Sequence, residues 1–165
     1  MAIDLEQYRQ TEAAECGLVS LAIVSALFGA SVSVSELRRS HPVSPRGLTL
    51  KQVIDIASAL HLSGRAVRCE IEELAKLSLP SILHWGLNHF VVLESFKRGK
   101  AIIVDTASGK RAVDERELSA KFTGVRFPSQ LAQGSYVPEA HAYPSWPRPP
   151  ADLRSISALA IPVLG

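Results

Sequence analysis

The feature that most constrains this chain is a stretch without charge: residues 16–34, CGLVSLAIVSALFGASVSV, contain no Asp, Glu, Lys or Arg. Such a run has to be withdrawn from water, into a protein core or into a bilayer, whose hydrocarbon layer takes a helix of about 20 residues. Gly17, Gly29 and four serines (Ser20, Ser25, Ser31, Ser33) interrupt it, FGAS reads as a turn, and neither end carries a Trp or Tyr anchor. The expectation is a buried helix over residues 16–28, stopped by Gly29 as a left-handed cap, and not a membrane span.

A buried helix needs a core around it. With 165 residues, 47% hydrophobic and 21% charged, the chain is sized for one globular domain and a tail. A formal net charge of +2 leaves no basic stripe, so nucleic acid is not an expected partner. The opening MAIDLEQYRQ has no basic segment followed by an apolar one. Cys16 and Cys69 are expected as reduced thiols, which makes the cytoplasm the default compartment.

Helical patterns fill the first half. SVSVSELRRSH reads as a short helix capped by Ser35 and ended before Pro42, and LTLKQVIDIASALHL as a third helix, capped by Thr49 and ending at Gly64. The period then changes. RAVRCEI alternates like a strand, EIEELAKL is a short amphipathic helix, and PSILHWG, NHFVVLESF and KAIIVDTASG are strand runs. ESFKRGKA marks a hairpin, and KRAVDERELSAKF a strand start followed by a helix. Helices first and a mostly antiparallel sheet after them predict an α+β domain over residues 1–125. Residues 126–165 hold seven of the ten prolines and no lysine, the composition of a linker or poorly ordered extension.

Cys16 stands where the first helix begins. A thiol at a helix N-terminus feels the partial positive charge of the free N–H groups, which favours thiolate. A histidine to take its proton and a carboxylate or amide to orient that histidine would complete an activated nucleophile. His41, His61 and His141 lie beside a turn, at a helix end and in the proline-rich tail, where surface or capping roles suffice. His89 opens an apolar strand, and His84, next to Trp85, competes with it. Asp105 ends the strand AIIVD, within reach of a neighbouring strand, or else simply opens a turn. Cys69 has no nearby histidine and reads as a small packed residue. No group of His, Cys or carboxylates has metal-ligand spacing, so neither a metal nor another cofactor is expected.

QTEAAECGLVSLAIV resembles the cysteine motif, and LHWGLNHFVVL the histidine motif, of the peptidase domain at the N-terminus of bacteriocin-exporting ABC transporters, which removes double-glycine leaders. The likeness spans residues 10–125 and includes LRRSHPVSPRGLTLKQVIDIASALHL and the closing FTGV. It implies a papain-like cysteine peptidase with Cys16 as nucleophile, His89 as general base and Asp105 as its orienter. The resemblance adds Gln10 as the side-chain amide of the oxyanion hole. The implied reaction is cleavage after Gly-Gly of a leader peptide, at the cytoplasmic side of the inner membrane. The implied partners are the membrane and ATPase domains of a transporter, in cis or in trans.

Two departures stand out. The family usually carries Asp-Pro at the orienting position, where this chain has Asp105-Thr106, which loses a rigid turn and keeps the carboxylate. The sequence also has no Walker A pattern. A stand-alone peptidase, an isolated domain of an exporter and a truncated remnant of one all stay open. A second class of function is a non-catalytic domain that holds export substrates. Relatives of that kind typically lack the cysteine, and Cys16 argues against it.

Overall fold

The first helix is withdrawn from water on every side. In the computed structural model of the chain, which describes residues 4–30, 32–86, 88–128 and 130–131, α1 (Cys16–Leu27) is buried at each position from Cys16 to Ser25. A helix apolar all round belongs inside a core. Among the described residues no helix is long and apolar enough to cross a membrane. Phe28 closes α1, and Gly29 follows at φ 86, the left-handed stop that the sequence predicts.

Two further helices pack beside it. α2 (Val34–Ser40) is capped by Ser33, which accepts from the Glu36 N–H at 3.4 Å, and not by Ser35. Starting at Val34 places Val34 and Leu37 on one face, and both are buried. In α3 (Leu50–Ala59) Thr49 is the cap as expected, and the Gln52 side chain accepts from the Thr49 N–H at 2.9 Å. The expected continuation to Gly64 does not occur. Leu60 closes the helix, His61 turns left-handed at φ 58, and β1 (Leu62–Ser63) leaves to pair with β8 (Gln130–Leu131).

The sheet has six antiparallel strands: β2 (Val67–Arg68), β3 (Ser81–Trp85), β4 (His89–Lys97), β5 (Lys100–Asp105), β6 (Gly109–Asp114) and β7 (Phe122–Pro128). They lie in the order β2-β7-β3-β4-β5-β6. The β4–β5 hairpin turns on Arg98 and Gly99 at φ 51 and 73, the two left-handed residues that a right-twisting two-residue connection requires. α4 (Glu115–Lys121) follows β6 and is capped by Asp114, which accepts from the Glu117 N–H at 2.8 Å. The short helix expected in EIEELAKL is a 3-10 helix over Ile71–Lys76, and in RAVRCEI only Val67–Arg68 is strand.

Both faces of the sheet are covered. Ile82, Phe90, Val92, Val104 and Phe127 share a core with α1. Leu83, Val91, Leu93 and Ile103 form a second core with Leu74 of the 3-10 helix and Leu118 of α4. Burial on both faces is why β4 reads FVVL without alternation. The domain limit expected at residue 125 falls inside β7, a strand that the sequence reading did not recognise. Phe127 is 1% exposed, and its carbonyl accepts from the Ser81 hydroxyl at 3.1 Å. The rest of the expected tail, residues 132–165, lies outside the described residues.

The segment entering α1 is tied down by a buried carboxylate. Glu15 accepts from Arg38 Nε at 2.6 Å and from an Arg38 terminal nitrogen at 2.9 Å, and from the Thr11 N–H and hydroxyl, both at 2.9 Å. The guanidinium is the main cause that holds the Glu15 carboxyl at about 2 instead of 4.5, against the opposing effect of burial. A lowered folded-state value means that the stability is complete above 4.5 and is lost as pH falls towards about 2. Arg38→Met should therefore cost about 2 kcal/mol at neutral pH, between the values for exposed and buried pairs. In denaturant titrations the gap from wild type should close as pH drops below 4.5.

Candidate active site

The amino end of α1, the start of β4 and the end of β5 meet at one place. Gly17 permits the approach. A Cβ there would stand 3.1 Å from Val53 Cγ2 and 3.3 Å from Phe90 Cδ2, so a side chain at this position would have to displace those neighbours by a few tenths of an ångström. Cys16 precedes that glycine and His89 precedes that phenylalanine. In the β4–β5 register Val91 faces Asp105, which puts His89 diagonally across from the carboxylate.

The three side chains form a series. His89 Nε2 lies 3.0 Å from Asp105 Oδ1, which leaves Nδ1 as the ring nitrogen for the thiol. The imidazole is held above its ordinary 6.5, first by its hydrogen bond with Cys16, against burial, and further by Asp105. For Asp105 burial pushes the carboxyl up, but the Ala107 N–H, His89 and the Ser108 hydroxyl together outweigh it and bring it below 3.8. The side chains of His89 and Asp105 are 23% and 12% exposed, shielded but reachable. A thiol, an imidazole and a carboxylate in this order can hold a thiolate and imidazolium pair.

Of the two histidines that the sequence leaves open, the structure brings His89 to the carboxylate and not His84. His84 Nδ1 instead lies 2.9 Å from the Thr123 hydroxyl, with its ring tilted on Phe90 at 5.4 Å, and burial lowers its pKa. His41 and His61 close α2 and follow α3, as their positions suggest, and His141 lies outside the described residues. Cys69 is buried in the second core, where desolvation pushes its thiol up.

Gln10 reaches the site from the N-terminal segment. Its N–H donates to the Thr106 carbonyl at 3.2 Å, and its Oε1 accepts from the Thr106 hydroxyl at 2.6 Å. The turn expected to loosen without proline is fixed by another device: Asp105 Oδ1 accepts from the Ala107 N–H at 2.9 Å, an Asx turn. Sequence reasoning missed both Thr106 and Glu15. The one signal for Thr106 is its position directly after the strand-ending Asp105, and for Glu15 a carboxylate directly before Cys16. Neither names its partner, which is 96 residues away for Thr106 and 23 for Glu15. Beside the site, a cleft of about 360 Å³ is lined by Leu48, Leu50, Phe90 and Val125, with Arg46 and His84 at its polar part.

The raised imidazole value gives a testable titration. Followed by NMR of the ring protons, His89 should titrate above 6.5 in the wild type. Its contribution to stability should be complete below 6.5 and fade as pH rises through the folded-state value. Cys16→Ala removes the largest raising interaction and Asp105→Asn a smaller one, so both should move the midpoint down, Cys16→Ala further. An unmoved midpoint in both variants would mean that the ring is independent of them.

The chain and its fold have relatives. Over 116 residues the chain is 45% identical to the colicin V secretion/processing ATP-binding protein CvaB of Escherichia coli, covering 70% of this chain and 17% of that protein. It thus spans about a sixth of the length of that relative. It is similar in structure to a double glycine motif protease from an AMS/PCAT transporter, solved in complex with its leader peptide. The TM-score is 0.69 at 37% identity, covering 73% of this chain and 87% of that one. The peptidase domain of Streptococcus ComA, a bi-functional ABC transporter, shares the fold at 22% identity with a TM-score of 0.69, covering 76% of this chain and 96% of that one. The predicted α+β, papain-like arrangement of N-terminal helices on an antiparallel sheet is the one observed. Residues 4–128 match the Peptidase C39 family, and the chain belongs to that family.

Proposed function

We propose that the chain is a cysteine endopeptidase that cleaves after the Gly-Gly of leader peptides on bacteriocin-like precursors, coupled to export by an ABC transporter. The observation that carries this reading is the contact of His89 Nε2 with Asp105 Oδ1 at 3.0 Å, with the Cys16 thiol the strongest influence on the same ring. Membership of a peptidase family supports it. So does the 37% identity to a double glycine motif protease solved with a leader peptide.

In this reading Cys16 is the nucleophile, His89 the general base and Asp105 the group that orients it. The Cys16 sulfur attacks the carbonyl carbon of the second glycine, and the oxyanion is met by the Gln10 amide and the Cys16 N–H. The tetrahedral intermediate collapses to a thioester as His89 protonates the departing amine. Water, deprotonated by His89, then releases the leader acid and the free thiol. A Gly-Gly requirement would follow from a cleft too narrow for a Cβ. The mixed cleft, with Leu48, Leu50, Phe90 and Val125 beside Arg46 and His84, offers both an apolar and a polar side to an amphipathic leader helix.

The relatives support a transporter as partner. The chain matches 17% of a secretion/processing ATP-binding protein, and in this reading the membrane and ATPase domains are supplied in cis in a parent protein or in trans. The chain then works at the cytoplasmic side of the bacterial inner membrane.

The test is a peptide with an amphipathic leader ending in Gly-Gly, incubated with wild type, Cys16→Ala and Cys69→Ala and analysed by mass spectrometry. Cleavage after the second glycine should persist in Cys69→Ala and disappear in Cys16→Ala. Cleavage that survives Cys16→Ala would sink the assignment, and leader binding without turnover by the wild type would favour a substrate-holding domain. For the base, iodoacetamide labelling of Cys16 near neutral pH should slow at least about ten-fold in His89→Ala and stay near wild type in His84→Ala.

A further inference from the structure

A carboxamide is a two-ended group. Its oxygen accepts and its nitrogen donates, and only the nitrogen end stabilises an oxyanion. A glutamine with three rotatable side-chain bonds has no intrinsic reason to present one end, and a swing of the amide would aim the oxygen at the developing negative charge. Something in the fold has to choose.

In this chain one residue bonds both the main chain and the side chain of Gln10. Thr106 holds Gln10 at two points: its carbonyl accepts from the Gln10 N–H at 3.2 Å, and its hydroxyl donates to Gln10 Oε1 at 2.6 Å. Thr106 is 2% exposed and therefore shielded from competing water, while Gln10 is half-buried. A hydroxyl proton given to Oε1 commits the oxygen, and both amide hydrogens on Nε2 stay available. Asp105, the preceding residue, accepts from the His89 ring at 3.0 Å. Successive side chains at the end of β5 thus reach the histidine and the glutamine.

We propose that Thr106 is a positioning residue that commits the Gln10 amide to donate, so that one dipeptide, Asp105-Thr106, sets both the base and the oxyanion donor. The proposal rests on the reading of Gln10 as an oxyanion donor given above. Thr106 touches no reacting atom and acts through Gln10.

The experiment uses the purified full chain and a leader peptide ending in Gly-Gly, with kcat and KM measured for Thr106→Val, Thr106→Ser, Gln10→Ala and the double variant Thr106→Val with Gln10→Ala. Cys16 alkylation and thermal melting are followed in parallel. Thr106→Val keeps the shape and removes the hydroxyl. It should lower kcat about ten-fold, less than the loss of the donor itself, with KM and the alkylation rate within about two-fold of wild type. Thr106→Ser should restore kcat, and Thr106→Val should cost nothing further in the Gln10→Ala background. Thr106→Ala serves the same reading if the valine variant does not fold. Wild-type kcat in Thr106→Val beside a slowed Gln10→Ala would overturn the proposal, as would an equal loss from Thr106→Val in both backgrounds. Wild-type kcat in Gln10→Ala would overturn the oxyanion reading first, and this proposal with it.

Discussion

The close approach of the first turn of α1 to β4 is the constraint on which the rest depends. It is set by an absence of atoms: a Cβ at Gly17 would lie 3.1 Å from Val53 and 3.3 Å from Phe90. The same contact buries the helix on the sheet and brings Cys16 to the strand that begins with His89. Packing and chemistry are therefore one geometric fact. Loosening the helix to relieve the core would also part the thiol from the imidazole.

Around this contact the polar groups are held by the fold itself. Glu15 and Arg38 fix the segment that leads into α1, while the Asx turn after β5 fixes Asp105. The first joins stretches 23 residues apart and the second is local, and each ends on a group next to the site. A buried ion pair adds little net stability relative to apolar packing, but breaking one side of it is expensive, which suits a role in specifying geometry.

Much of this was legible in the sequence wherever the signal was local. The charge-free run marks α1, ESFKRGKA marks the hairpin, and Thr49 marks a helix start through a side chain that caps its own turn. Cys16, His89 and Asp105 stand at element ends, where a helix start and two strand ends can meet, and there the structure places them together. The misses are tertiary in origin. The cap of α2 moved to Ser33 because Val34 and Leu37 have to face the core, and α3 ended early because Leu62 joins a strand partner at the far end of the described chain. β7 was hidden by Gly124 and Pro128, residues that usually punctuate and that here accompany an irregular register beside Leu83 and Trp85. His84 and His89 looked alike in sequence because strand neighbours five residues apart cannot be ranked without knowing which strand lies alongside.

The place of β7 has a consequence for how the molecule comes into being. The strands from β3 to β6 are neighbours in sequence and in space and can assemble as they emerge. β7, almost the last to be made, belongs between β2 and β3 and supplies Phe127 to the core beneath α1. A nascent chain therefore holds an open seam through the middle of its sheet until residue 128 has left the ribosome. Such late, non-local pairing is slow and makes completion cooperative. The seam closes on the same core that seats the helix carrying Cys16, so the thiol gains its final surroundings only when nearly the whole domain has been synthesised.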